Sequence, residues 1–165
     1  MTSRWLDPQP VNTDSLHALG LPPLIAQTLL RRGISSPVEA EAFLHPDATP
    51  PANFPDIEKA VEVIYVAIRR NDLICVWGDF DVDGQTSTAL LVQTLQILKA
   101  NVIYYIPIRG KESHGVHIES LKPILDHGTK LLLTCDTGIT AHEAIEYANS
   151  CGVDVVVTDH HDLGE

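Results

Sequence analysis

The sequence predicts an α/β domain with a parallel, Rossmann-like sheet and helices on both faces, preceded by a small helical segment. From residue 56 onward, strand-like apolar runs alternate with helical segments. The runs at 73–77, 131–133 and 153–157 are almost continuously apolar, as strands are when helices cover both sides of a parallel sheet. Acidic residues follow these runs directly, which is typical of a binding site at the end of a sheet.

The alternation gives a specific order of elements. Helices are predicted at 57–70, 85–99, 118–127 and 140–150, and strands at 73–77, 102–106, 130–135 and 153–158. Ligands of such sheets bind beyond the carboxyl ends of the strands. The acidic residues after the strands should therefore share one edge.

The first 55 residues hold most of the 11 prolines and predict short helices joined by turns. One helix should begin at Pro22-Pro23 and end before Gly33, and Ser36-Pro37-Val38-Glu39 has the pattern of a capping box. The proline-rich residues 48–55 are the predicted boundary. We therefore expect a helical segment at 1–55 and a truncated catalytic domain at 56–165.

The composition indicates a protein of the cytoplasm. No apolar run approaches the roughly 18 residues of a membrane span, and the first residues lack an export signal. The three cysteines form no CxxC pair, which favours reduced thiols. The sequence predicts no membrane partner.

The net charge of −11 argues against a protein that binds nucleic acid through a broad basic surface. A phosphate-rich substrate needs another source of attraction. Bound divalent cations would offset the acidic residues of the proposed site, so binding of an anionic substrate should depend on metal.

Three predicted strands end in groups that bind metals. Asp79, Asp81 and Asp83 follow the first strand, Asp136 follows the third, and Asp159-His160-His161 follows the last. If the first segment is extended, its alternate aspartates point to one side. Mixed carboxylate and imidazole ligands favour Mn²⁺ or Mg²⁺ over a thiolate-bound metal. The sequence therefore predicts a divalent-metal centre, in which Asp136 could bridge two ions.

The two adjacent histidines receive different roles, because neighbouring side chains of an extended segment diverge. We assign His160 to metal and His161 to a substrate phosphate. Two ions roughly 3.5–4 Å apart would activate water and stabilise charge on phosphorus, which favours phosphoester hydrolysis. Gly84 permits close backbone approach, and a helix predicted to begin at Thr86-Ser87 offers free N–H groups to an anion.

Other interpretations of the same residues stay open. Asp-rich segments after strands also form turns and helix caps, and residues 140–143 have the pattern of a capping box. Asp81-Val82-Asp83 also fits the Asp-x-Asp of aspartyl-nucleophile phosphatases, in which the first Asp is a covalent nucleophile. Adjacent histidines are not part of the active site of those phosphatases.

These motifs resemble the DHH phosphoesterase superfamily, and within it the RecJ-type single-strand-specific exonucleases. Residues 76–88 resemble the first motif of that family, 133–138 the third and 157–161 the fourth, with Asp159-His160-His161 as its name-giving triplet. Residues 107–115 look like the second motif, although Ser113-His114 stands where many relatives carry Gly-Tyr. The resemblance covers essentially the whole chain, including the helical residues before the catalytic domain.

The resemblance implies a role for each matching residue. Asp81 and Asp136 would hold one metal, and Asp83, Asp136 and His160 the other. Asp159 would support the ligands, His161 would contact the scissile phosphate, and Asp79 is a further candidate ligand. The substrate-binding candidates are Arg109, Ser113, His114, Gly115, Gly84 and Thr86.

The resemblance also implies a 5′→3′ exonuclease that hydrolyses single-stranded DNA with two Mn²⁺ or Mg²⁺ ions, in DNA repair and recombination. The chain corresponds to the amino-terminal part of such a nuclease, and the carboxyl-terminal half is its expected partner. We expect the isolated chain to bind Mn²⁺ weakly and to hydrolyse single-stranded DNA poorly or not at all. Two alternatives are a DHH phosphodiesterase of short oligonucleotides or cyclic dinucleotides, and a RecJ-like scaffold without catalysis.

Overall fold

The structure is a computed structural model that describes residues 6–8, 10–46 and 55–163. The chain divides into two compact units, Met1–Phe54 and Pro55–Glu165. Most of the proline-rich segment that we predicted as the boundary lies outside the described residues.

Within its described residues, the first unit contains three short helices, α1 (Thr13–Ala18), α2 (Pro23–Arg31) and α3 (Pro37–Leu44). A small apolar core joins them through Leu19, Ala26, Leu29 and Ala40. The predicted capping box is confirmed, because the Glu39 N–H donates to Ser36 Oγ at 3.2 Å and the Ser36 N–H donates to Glu39 Oε2 at 3.0 Å. Local capping thus fixes where α3 begins.

The second unit alternates helices and strands. Its elements are α4 (Ile57–Arg70), β1 (Leu73–Trp77), α5 (Val82–Ile97), β2 (Asn101–Tyr105), α6 (Ile118–Asp126), β3 (Thr129–Cys135), α7 (His142–Ser150) and β4 (Asp154–Thr158). All pairings in this sheet are parallel, and the strand order is β2-β1-β3-β4. The predicted α/β class and parallel sheet are confirmed.

Alternate residues of the central strands pack on opposite faces of the sheet. Ile74 and Val76 of β1 belong to the core cluster that contains residues of α4 and α5. Cys75 and Trp77 belong to the other cluster, with residues of α6 and α7. Because each face is covered by two helices, both faces of the central strands are apolar. The carboxyl ends of β1, β3 and β4 then lie at one edge of the sheet.

Two helix starts differ from the prediction. Helix α5 begins at Val82 rather than at residue 85, because the Asp81 carboxylate accepts the Gly84 N–H at 2.9 Å and caps the helix earlier. Helix α7 begins at His142, and its N-cap residue, Ala141, makes no side-chain cap hydrogen bond. The capping box predicted at 140–143 is therefore wrong.

Among the described residues, no helix combines the length and apolar character that a membrane crossing requires.

Candidate metal centre

One corner of the sheet edge is formed by Asp136, Asp159, His160 and His161, which we call the Asp136 corner. Asp136 follows β3, and its N–H donates to the Thr158 carbonyl at 3.0 Å. Its backbone is left-handed, with φ at 58°, a conformation that costs energy outside glycine and marks functional sites. The fold therefore fixes this aspartate at the point where β3 and β4 end.

The two oxygens of the buried Asp136 carboxylate have different environments. Oδ1 lies 2.9 Å from His160 Nε2. Oδ2 is buried and has no hydrogen-bond partner within the described part of the chain. A buried acceptor without a partner is costly, and such an oxygen beside an imidazole suits a cation. The residues therefore fit a bound divalent metal.

The Asp136 carboxyl is also under electrostatic pressure. Burial raises the pKa of Asp136, and the charge of nearby Asp81 raises it further, while the hydrogen bond with His160 partly offsets both effects. A cation would relieve the repulsion between the two carboxylates. The raised pKa of Asp136 and its unpaired oxygen therefore both indicate a site that a cation would stabilise.

Asp159 organises the turn that follows β4. Its Oδ1 accepts the N–H groups of His160 at 2.8 Å and His161 at 3.2 Å, and contacts His161 Nδ1 at 2.6 Å. Its Oδ2 accepts the Ile139 N–H at 3.0 Å. Both oxygens are occupied by hydrogen bonds, so Asp159 holds the turn that carries the two histidines.

The same bonds set the charge of the pair. Burial acts to raise the pKa of Asp159, but the hydrogen bonds from Ile139, His161 and His160 outweigh it and the pKa falls. The hydrogen bond to Asp159 and then its charge raise the pKa of His161. The cationic form of His161 is therefore favoured, which suits contact with an anion.

The two histidine rings do not diverge as we predicted. Their centroids are 4.6 Å apart, because β4 ends at Thr158 and the bonds to Asp159 fold the next two residues into a turn. Asp136, His160 and His161 each offer a ligand atom within 4.8 Å of the others. His161 thus lies close enough to Asp136 and His160 to share a metal with them.

The first aspartate motif is not an extended segment, so the predicted alternation of Asp79, Asp81 and Asp83 is wrong. Asp81 is the N-cap of α5, and Asp83 lies exposed in its first turn. The hydrogen bond from Gly84 is the main cause that lowers the pKa of Asp81. Asp81 faces Asp136 closely enough to affect its pKa, whereas none of the three aspartates belongs to the 4.8 Å group.

Two substrate-binding candidates also have other contacts. The Thr86 hydroxyl donates to the carbonyls of Val82 and Asp83 at 2.8 and 3.2 Å. Because α5 begins at Val82, Thr86 and Ser87 lie inside the helix and their N–H groups are not among the free ones at its start. A Cβ atom on Gly84 would lie 2.5 Å from the backbone of Asp79. Gly84 is thus needed for close packing between α5 and the strand end.

A second corner is formed by Asp79, Phe80, Arg109, Glu112 and His114, which we call the Asp79 corner. Asp79 is 4% exposed, its Oδ1 accepts the Phe80 N–H at 2.7 Å, and its Oδ2 contacts His114 Nδ1. The Phe80 ring centroid lies 4.1 Å from that of His114 and 4.5 Å from the Arg109 guanidinium carbon. Two candidate phosphate-binding side chains thus pack on one aromatic ring.

The remaining residues of the second motif face the loop itself. Ser113 Oγ lies 2.9 Å from His117 Nε2. The Gly115 carbonyl accepts the Trp77 indole N–H at 3.3 Å, and its φ of 104° suits glycine. Ser113 and Gly115 therefore shape the loop that carries His114.

The two corners meet in a cavity of about 420 Å³ whose lining includes Asp79, His114, Asp136, Asp159 and His161. Phe80 and Glu112 were not among the predicted site residues. Phe80 could have been noticed as the aromatic residue between two motif aspartates, and Glu112 as the acidic residue of the second motif, residues 107–115.

Comparison with known proteins places this geometry in a family. The model of the DHH family, N-terminal domain, matches residues 73–165. The chain is 38% identical over 155 residues to the single-stranded-DNA-specific exonuclease RecJ of Bacillus subtilis, covering 92% of this chain and 19% of that protein. It is 39% identical over 146 residues to RecJ of Escherichia coli, covering 88% of this chain and 25% of that protein.

Solved structures agree with this similarity. The chain resembles a crystal structure of exonuclease RecJ bound to manganese, with a TM-score of 0.65, 40% identity, and coverage of 70% of this chain and 30% of that one. It also resembles RecJ from Thermus thermophilus in complex with Mn²⁺, with a TM-score of 0.60, 33% identity, and coverage of 92% and 21%. The chain thus spans about a fifth to a quarter of the curated relatives named here. Since the family model matches more than half of the sequence, the chain belongs to the DHH family.

Proposed function

We propose that the chain forms the metal-binding, amino-terminal part of a nuclease that hydrolyses single-stranded DNA in the 5′→3′ direction. The observation that carries the proposal is the buried, unpartnered Oδ2 of Asp136 beside His160. The similar RecJ proteins from two bacteria support the polymer and the chemistry. A cytoplasmic setting in DNA repair and recombination belongs to the same proposal.

The proposed cofactor is a pair of Mn²⁺ or Mg²⁺ ions, which the structures of two similar RecJ chains with Mn²⁺ support. In this proposal Asp81 and Asp136 hold one ion, and Asp83, Asp136 and His160 hold the other. Asp79 is the weaker candidate, because both of its oxygens already have partners. Bound ions supply Lewis-acid stabilisation of the charge that develops on phosphate during hydrolysis.

The chain itself positions the substrate. His161, whose cationic form Asp159 favours, donates a hydrogen bond to an oxygen of the scissile phosphate. Arg109 and His114 contact neighbouring phosphates from the Asp79 corner, where the Phe80 ring restricts their orientation. In the reaction, water forms a bond to phosphorus, the bond to the neighbouring nucleotide breaks, and the leaving oxygen takes a proton.

The experiment compares two polypeptides: this chain alone and a chimaera that continues into the corresponding remainder of B. subtilis RecJ. Each receives Mn²⁺ and is tested on a long single strand of DNA, on dinucleotides and on cyclic dinucleotides. We expect weak Mn²⁺ binding and little hydrolysis by the chain alone, and processive hydrolysis of the long strand by the chimaera.

The alternatives give different results in the same experiment. A chimaera that prefers dinucleotides would support a phosphodiesterase of small substrates. Absence of Mn²⁺ binding, measured by calorimetry on both polypeptides, would support a scaffold without catalysis.

A further inference from the structure

The loop between β2 and α6, residues 106–117, is fastened by one carboxylate. Glu112 Oε1 accepts the Tyr105 hydroxyl at 2.6 Å and the Ser120 hydroxyl at 2.5 Å, and Oε2 accepts the Ile108 N–H at 2.9 Å. These donors belong to the end of β2, the start of the loop and the first turn of α6. One side chain therefore joins three separate parts of the chain.

The bonds keep this carboxylate charged. The hydroxyl of Ser120, then that of Tyr105 and the N–H of Ile108, lower the pKa of Glu112 to about 2. Hydrogen bonds to a charged acceptor are stronger than neutral ones. Glu112 is thus committed to the loop, and its charge is compensated by three donors, although it lies in a region proposed to bind an anion.

The loop held by Glu112 carries both groups that pack on Phe80. Arg109 pairs with Glu112 in an isolated bridge of the backbone, and the Glu112 N–H donates to the Ile108 carbonyl at 3.0 Å. His114 lies two residues beyond Glu112 and contacts Asp79. Movement of Glu112 would therefore shift the guanidinium and the imidazole together.

We propose that Glu112 is a positioning residue that sets Arg109 and His114 for contact with substrate phosphate, without touching the substrate or the metal. This inference rests on the proposed function and identifies the residue that orients the phosphate-binding side chains of the Asp79 corner. Misplacement of a binding group by a small distance is costly even when the group itself is intact. Loss of Glu112 should thus weaken substrate binding and leave the Asp136 corner unchanged.

The test uses the 165-residue chain and its Glu112→Gln variant. Glutamine keeps the size of the side chain but places an amide donor among three donors. The control is Glu62→Gln, which removes the same charge from an exposed position of α4. Affinity for hexathymidylate with Mg²⁺ is measured by fluorescence anisotropy, and affinity for Mn²⁺ by calorimetry.

We expect Glu112→Gln to weaken hexathymidylate binding about tenfold, the equivalent of one charge-assisted hydrogen bond. Mn²⁺ affinity should match the control. Tyr105→Phe should give a smaller loss in the same direction, because phenylalanine retains the packing of this ring on Trp77, with centroids 4.4 Å apart. Equal hexathymidylate affinity in Glu112→Gln and Glu62→Gln, or an equal loss of oligonucleotide and Mn²⁺ affinity, would overturn the inference.

A second measurement separates this inference from the proposed function. If neither the unsubstituted chain nor its chimaera with the remainder of B. subtilis RecJ binds hexathymidylate, the substrate assignment fails. The positioning role is then decided by the NMR contact between the rings of Phe80 and His114. That contact should disappear in Glu112→Gln and persist in Glu62→Gln; its persistence in both variants would refute positioning by Glu112.

Discussion

The Asp136 corner and the Asp79 corner each contain a buried aspartate in contact with a histidine, but their hydrogen bonding differs. Asp79 is 4% exposed and each of its oxygens has a protein partner. Asp136 is 9% exposed and keeps one buried oxygen without a partner among the described residues. Its backbone is also left-handed. The difference separates a framework that holds a loop from a site arranged for a ligand.

The energetic cost of the two corners differs accordingly. An unsatisfied buried polar group costs about 1–3 kcal/mol, and a residue in a sparsely populated backbone region costs on the order of 1–3 kcal/mol. Asp136 carries both costs and the repulsion of Asp81. A cation bound there would satisfy the unpaired oxygen and offset the repulsion between the two carboxylates. A cation at Asp79 would gain less, because both oxygens of Asp79 already have partners.

The largest effect should come from Asp136→Asn. We expect Mn²⁺ affinity to fall by more than about 100-fold, beyond the usual effect of losing a ligand's partner. Asparagine tolerates the left-handed conformation and removes the repulsion with Asp81, so the metal-free chain should be at least as stable as before. Calorimetry with Mn²⁺ and thermal unfolding in a chelator measure the two quantities.

The control for this substitution is Asp154→Asn, at the exposed opposite end of β4. It removes the same charge and should leave Mn²⁺ affinity unchanged. If the two variants bind Mn²⁺ equally well, the Asp136 corner is not a metal site and the comparison between the corners collapses.

A smaller effect is expected from Gly84→Ala, which disturbs the packing of α5 against the Asp79 corner. The new Cβ atom would lie 2.5 Å from the Asp79 N and O atoms, and such overpacking costs about 1–3 kcal/mol. Alanine would otherwise stabilise a helix by up to about 1 kcal/mol relative to glycine. Urea unfolding should therefore show a loss despite the better helix former.

Gln93→Ala is the matched change, because it places alanine at an exposed position of the same helix. It should be neutral or slightly stabilising. A Gly84→Ala chain as stable as this control would show that the contact between α5 and the end of β1 is loose.

The fold was largely predictable because its signals are local. The strands predicted at 73–77 and 130–135 match β1 and β3 to within one residue, since buried parallel strands leave a nearly continuous apolar pattern. The sheet edge then follows from topology. The start of α5 was predicted three residues late, although Asp81 followed by an acid in the first turn is itself an N-terminal signal.

The contacts within the site were less predictable. Asp79 and His114 are 35 residues apart in sequence, and no periodic pattern in the loop 106–117 indicates where its side chains point. The proximity of His160 and His161 depends on hydrogen bonds of Asp159 after the strand has ended. Strand alternation therefore gave the wrong geometry for these histidines while giving the right edge.

Asp79→Asn sharpens the comparison further. Asparagine can still accept the Phe80 N–H, but its contact with His114 loses the carboxylate charge, so we expect a loss of about 1 kcal/mol in unfolding free energy. Mn²⁺ affinity should stay close to that of the unsubstituted chain. A loss of Mn²⁺ binding as large as that of Asp136→Asn would identify Asp79 as a direct ligand and make the two corners alike.

The smallest effect is the pH dependence that Glu112 gives to the Asp79 corner. The three hydrogen bonds lower the pKa of Glu112 from its ordinary 4.5 to about 2. A lowered pKa in the folded state stabilises the fold above the ordinary value, and this contribution is lost as pH falls through the folded value. The stability advantage of the unsubstituted chain over Glu112→Gln should therefore shrink as the pH falls from 4.5 to about 2. Urea unfolding at roughly one-unit pH steps, with Glu62→Gln as the reference, measures that difference. A difference that stays constant across this range would mean that the charge of Glu112 does not hold the loop, and the ordered framework of the Asp79 corner would then have to rest on Phe80 and Asp79 alone.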